Sequence, residues 1–121
     1  MTKKFVGKLH ITPNDDTLIE ELAFIINEDT RDHPGWKKYR YYYNVIKFDL
    51  DIDYDKSTNR YYLVPMNSGR NINMYMCLEL LIEIMKDKYK DFVLNGKLEY
   101  FDDYRNHYFI DVKNNEVDII K

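Results

Sequence analysis

Apolar positions recur along this chain in two periods. Between Asn71 and Asp91 they follow the 3.6-residue turn of a helix. Met74, Cys77, Leu78, Leu81, Ile82, Met85 and Tyr89 fall on one face, and Leu80 and Ile84 broaden it. Glu79, Glu83, Lys86 and Asp87 form the polar side. So broad a stripe predicts a helix pressed on a sheet and on a second neighbour, whether loop, helix or partner chain. A shorter helix is marked by Leu18, Ile19, Leu22, Ala23, Ile25 and Ile26, running to Asn27. Its start is expected at Thr12-Pro13-Asn14-Asp15, with Thr12 as cap, Pro13 at the first helical position and Asp15 serving free amides.

Elsewhere the period is two. Phe5, Leu9 and Ile11 alternate within Lys4 to Ile11, and Gly7 there allows a neighbouring backbone to approach closely. Tyr39 to Asp53 predicts a long strand, with a bend near Asn44 because Val45 is out of phase with Phe48, Leu50, Ile52 and Tyr54. Asp55 to Asn59 turns, and Arg60 to Pro65 returns as a shorter strand. Beyond the central helix, Phe92 to Phe101, His107 to Val112 and Val117 to Ile120 read as strands. They are joined by a turn over Asp102 to Asn106 and a two-residue turn at Asn114-Asn115.

The order β-α-β-β-α-β-β-β predicts one α+β domain over residues 1–121. The expected form is a ferredoxin-like βαββαβ unit with an added C-terminal β-hairpin, its two helices on one face of an antiparallel sheet. Gly7-Lys8-Leu9 is echoed by Gly96-Lys97-Leu98 in the fourth strand, which this layout makes an antiparallel neighbour of the first.

Composition narrows the function classes. A hydrophobic share of 45% beside a charged share of 32% is that of a globular domain. A net charge of −3 argues against sequence-independent attraction to nucleic acid or anionic membrane. Cys77, the single cysteine, excludes an internal disulfide and a cysteine-built zinc site. No run approaches the ~18 apolar residues of a membrane span. The opening Met1-Thr2-Lys3-Lys4 lacks the apolar core of a signal peptide, so a cytoplasmic setting is expected. Twelve tyrosines are unusual, and an AT-rich genome would produce the same usage without functional meaning.

Three stretches carry candidate chemistry. Asp49, Asp51, Asp53 and Asp55 are spaced to line one strand face. That row suits a divalent ion, a mimic of a phosphate backbone or a patch for a basic partner; its structural reading is a solvated or aggregation-guarding edge. An EF-hand is excluded, because Lys56 stands where the loop needs glycine and Tyr62 where it needs glutamate. The polar connection Glu28 to Lys38 holds His33-Pro34-Gly35-Trp36. With Lys37, Lys38 and Arg40 among Tyr39, Tyr41, Tyr42 and Tyr43, Trp36 forms a basic and aromatic loop of the kind that tracks phosphates and stacks bases. Ser68, Gly69, Arg70 and Asn71 precede the central helix, where free amides favour an anion, though no Walker lysine is present. His10, His33 and His107 show no metal-ligand spacing, no serine sits in an elbow motif, and Cys77 lies mid-helix. No catalytic set, metal site or cofactor is therefore expected.

Gly7-Lys8-Leu9-His10-Ile11-Thr12-Pro13, Leu63-Val64-Pro65 and Asn95-Gly96-Lys97-Leu98-Glu99 with the closing hairpin resemble an uncharacterised family of small phage and bacterial α+β proteins. The chain departs from that pattern in lacking a second proline and a Gly-Glu-rich turn. The resemblance implies a phage or mobile-element gene product acting in a host cytoplasm. That family carries no known activity; the compact fold, the one-sided acidic row, the Trp36-Lys37-Lys38-Tyr39 loop and the lack of a catalytic set lead us to expect a non-enzymatic binding protein that engages and blocks a host protein, such as a defence component. The alternative is a nucleotide or nucleic-acid binding module using the Lys37–Arg40 stretch and the loop before the central helix. Homodimerisation through surplus apolar surface on that helix is compatible with either.

Overall fold

A computed structural model describes residues 3–27, 48–68 and 73–121. The elements are β1 (Lys3–Thr12), α1 (Asp16–Asn27), β2 (Leu50–Asp55), β3 (Arg60–Pro65), α2 (Met74–Lys88), β4 (Val93–Asp102), β5 (His107–Lys113) and β6 (Glu116–Ile120). All six strands pair antiparallel in one sheet, in the order β2-β3-β1-β4-β5-β6. Of the long strand expected over Tyr39 to Asp53, Leu50 to Asp53 fall in β2, Phe48 and Asp49 precede it as buried coil, and the rest, with the bend near Asn44, lies outside the described residues.

Residues directly opposite each other across a ladder share a face, so the register separates the sheet's two sides. Leu9 stands opposite Leu63 and Gly96, and Ile11 opposite Leu94. Leu98 faces Ile110, and Val112 faces Val117. These side chains join Leu18, Leu22 and Ile25 of α1 and Cys77, Leu78 and Leu81 of α2 in a single core. Each such aliphatic side chain contributes about 1.5–3 kcal/mol by leaving water. Both described helices therefore cover one face, and neither is long and apolar enough to cross a membrane.

Helix ends show how tertiary pairing corrects local expectation. Thr12 does not cap α1. It is still in β1, opposite Val93, and its hydroxyl donates to the Val93 carbonyl. The cap falls to Asp15, whose Oδ1 accepts from the amides of Thr17 (2.8 Å) and Leu18 (3.2 Å). At α2 the cap is Asn73, with Oδ1 accepting from the Met76 amide at 3.0 Å. The broad stripe of α2 is absorbed within the chain: Leu80 and Ile82 are buried beside Met74, Cys77, Leu78, Leu81 and Met85. Ile84, which with Leu80 broadens the stripe, is partly buried against the same core, as are Tyr75 and Met76.

The Gly-Lys-Leu echo is a reciprocal joint between β1 and β4. Gly7 faces Leu98, Lys8 faces Lys97 and Leu9 faces Gly96. Both glycines hold positive φ, +121° and +148°, which side chains rarely adopt. A Cβ on Gly7 would lie 2.5 Å from the Lys97 carbonyl oxygen, and one on Gly96 2.6 Å from that of Lys8. The absence of a side chain is what lets these strands close.

Candidate binding surface

The other face of the sheet carries neither described helix, and its side chains follow from the same register. β2 presents Asp51 and Asp53; β3 presents Arg60, Tyr62 and Val64; β1 presents Lys4, Val6, Lys8 and His10. β4 and β5 continue it with Lys97, Glu99, Phe101, His107, Phe109 and Asp111.

The acidic row divides on inspection. Asp49 is buried, only 6% exposed, and stands before β2 rather than in it. Its Oδ2 accepts from the Ser68 amide at 3.3 Å, while Oδ1 has no hydrogen-bond partner. Its carbonyl accepts from Met66 across to β3, so by strand alternation the backbone groups of Leu50, Ile52 and Tyr54 point outward at the sheet edge. Asp51 uses this geometry: its Oδ1 accepts from the Ile52 amide at 2.8 Å, capping an edge donor that another strand would otherwise seek. Asp55 turns to the β2–β3 loop, where Oδ1 accepts from the Ser57 amide (2.9 Å) and hydroxyl (2.7 Å). Those bonds hold its carboxyl below the usual range. Asp51 and Asp53 are exposed.

At the centre of the face two lysines meet. Lys8 and Lys97 are direct cross-strand partners, an arrangement that like charges disfavour. They part in opposite directions. Lys8 lies over the Tyr62 ring, 4.1 Å from its centroid, and Lys97 over Phe109 at 5.3 Å. Beside them Arg60 Nη1 is 2.6 Å from His10 Nε2, and since guanidinium only donates, that ring nitrogen accepts. Burial, then the Arg60 charge, holds the His10 pKa below its ordinary value. His107 Nε2 lies 2.6 Å from Glu99 Oε2. The face is therefore banded, with Asp51 and Asp53 on the outer strand, Tyr62 and Val64 after Arg60 on the next, and Lys4 and Lys8 on the third.

The β4–β5 turn is held by one carboxylate. Asp102 Oδ1 accepts from the amides of Tyr104 (2.9 Å) and Asn106 (3.1 Å). Its Oδ2 accepts from Asn106 Nδ2 (3.0 Å) and the Tyr100 hydroxyl (2.9 Å). These donors, Asn106 first, keep Asp102 below the usual carboxylate range, and burial, with Asp102 beside it, pushes Tyr100 up to about 12.

Trp36, Lys37, Lys38, Arg40, Gly69, Arg70 and Asn71 lie outside the described residues, and Ser68 is exposed. Cys77 is fully buried, and burial pushes its thiol up to about 12, far from a nucleophile's range. Among the described residues no group of three or more His, Cys, Asp or Glu side chains forms a cluster able to hold a metal ion. The central band was not singled out from sequence. Its signal was present in the polar alternation Lys4, Lys8, His10 along β1 and in the lysine at the middle of each Gly-Lys-Leu. No protein-family model matches the chain, and neither a curated protein nor a solved structure does.

Proposed function

We propose that this chain is a small non-enzymatic binding domain that docks a protein through the open face of its sheet. The resemblance to small phage and bacterial proteins supports a host protein as the target, engaged and blocked in the host cytoplasm. The observation that carries the reading is the banding itself: exposed Asp51 and Asp53 flank a strip of partly buried Tyr62 and Val64, with Lys8 beyond, while Arg60, at the start of that same strip, reaches across to His10. An apolar strip bordered by opposite charges gives a partner both area and orientation. The strand order β2-β3-β1-β4 suits a ferredoxin-like core to which β5 and β6 are appended, leaving the face opposite the helices for binding.

Capture from nuclease-treated host lysate tests this. The tagged chain is expected to retain a specific protein that an Asp51→Lys/Asp53→Lys variant loses by about tenfold or more. Equal recovery by a variant of unchanged melting temperature would remove the open face from the account.

Nucleic acid is the second reading, favoured by the two lysine-over-ring pairs Lys8–Tyr62 and Lys97–Phe109. It requires oligonucleotide affinity that falls steeply with salt. A flat salt response excludes it.

A further inference from the structure

We infer that the open face is self-complementary and that a second copy of this chain docks on it about a twofold axis running along β3. The inference rests on the reading of that face as a protein-docking surface and names one occupant. Two rows of side chains cross β2, β3 and β1. In one, Asp53 stands opposite Tyr62, and Tyr62 opposite His10, which holds the Arg60 guanidinium. In the next, Asp51 stands opposite Val64, and Lys8 takes the corresponding place two residues before His10 on β1. The second row thus reads acid, apolar, base, and in the first the positive charge is the guanidinium that Arg60 extends from β3 to His10.

A twofold axis laid along the middle strand exchanges the left and right of each row and leaves its height unchanged. Asp51 of each copy then lies over Lys8 of the other, and Asp53 over the His10–Arg60 pair. Val64 of both copies meets at the axis beside Tyr62, whose ring lies under the Lys8 ammonium, and Arg60 on the same strand turns its guanidinium off the axis to His10. Two sheets packed face to face stand about 10 Å apart with strands within ~30° of parallel, a gap that opposed long side chains span. An isologous contact requires this reciprocity, in which a residue's partner meets the residue itself on the other side. The shared strip is only three strands wide, so the dimer belongs to the small, weak class, with a dissociation constant of about 10 μM to 1 mM.

Charge swapping in separate chains tests the axis. Sedimentation of the wild type over that concentration range is expected to show reversible dimers, and Asp51→Lys or Lys8→Asp alone to weaken them by about tenfold or more. Each reversed homodimer sets like charges against each other at both contacts. An equimolar mixture of the two variants restores opposite charges at both, and is expected to dimerise like the wild type. Pairing Asp51→Lys with Lys97→Asp is the control, because β4 lies beyond the overlap, and no recovery is expected. A monomeric wild type, insensitivity to either reversal, or a mixture that stays monomeric overturns the inference. If dimers are absent while capture of a host protein still depends on Asp51 and Asp53, the self-docking falls and the binding function stands.

Discussion

Replacing Gly96 with alanine probes the joint on which both faces of the sheet depend. The new methyl group would sit 2.6 Å from the Lys8 carbonyl oxygen and 3.0 Å from both Cα and Cδ2 of Leu9. The nearest of these is backbone inside a ladder, so relief requires β1 and β4 to separate. Holding a side chain at φ +148° adds conformational strain. Strain of this kind costs about 1–3 kcal/mol, and overpacking of a filled site about the same, giving about 2–6 kcal/mol in all. For a domain of this size each kcal/mol lowers the melting temperature by roughly 3–5 °C, so the expected fall is roughly 6–30 °C. Urea titration followed by circular dichroism checks the number, with a lower midpoint and an unchanged slope. Lys97→Ala, next door on an exposed position, is the control and should stay within about 0.5 kcal/mol. A Gly96→Ala variant as stable as that control would refute the close approach.

Other consequences are as direct. Cys77 should resist thiol reagents in the native protein and react fully on denaturation, so its labelling rate reports opening of the core; rapid native labelling would place it elsewhere. Asn115 accepts from the Leu94 amide (2.7 Å) and donates to the Phe92 carbonyl (2.8 Å), tying the β5–β6 turn to β4. Asn115→Ala should destabilise by about 1–3 kcal/mol in chemical denaturation, more than Asn114→Ala, whose side chain makes no such tie. Asp102 is held below its ordinary value of 3.8, so its contribution to stability is complete above that pH and is lost as pH falls through the lowered folded value. The melting-temperature gap between wild type and Asp102→Asn should therefore narrow on acidification below 3.8 and be widest near neutrality. His10 titrates below its ordinary 6.5, so protonation favours the unfolded chain, and His10→Gln should remove part of the stability lost as pH drops through 6.5.

What could be read from sequence was what local pattern determines. β3 was placed at its observed bounds because alternation and the flanking turns agree. The two-residue turn at Asn114 and Asn115 has both residues at positive φ, 50° and 71°, the conformation that asparagine tolerates in hairpins. The buried stripe of α2 follows from its period alone. Thr12 was misread because its cap-like setting competes with ten residues of pairing to β4, and the ladder prevails. Asp49 shares the spacing of Asp51 and Asp53 but lies outside β2, where alternation no longer sets its exposure. The acid–apolar–base row was out of reach for a different reason. Lys8, Val64 and Asp51 are brought abreast only by the register between distant strands, which no local period encodes.

The account turns on the open face as the place where a protein sits, and lysine footprinting tests that most directly. Lys8 lies on this face and Lys86 on the exposed side of α2, so acylation rates with and without the captured partner compare the two sides within one molecule. Partner binding should slow acylation of Lys8 by about tenfold or more and leave Lys86 unchanged. Protection of Lys86 with Lys8 still reactive would move the binding surface to the helical side and contradict the account.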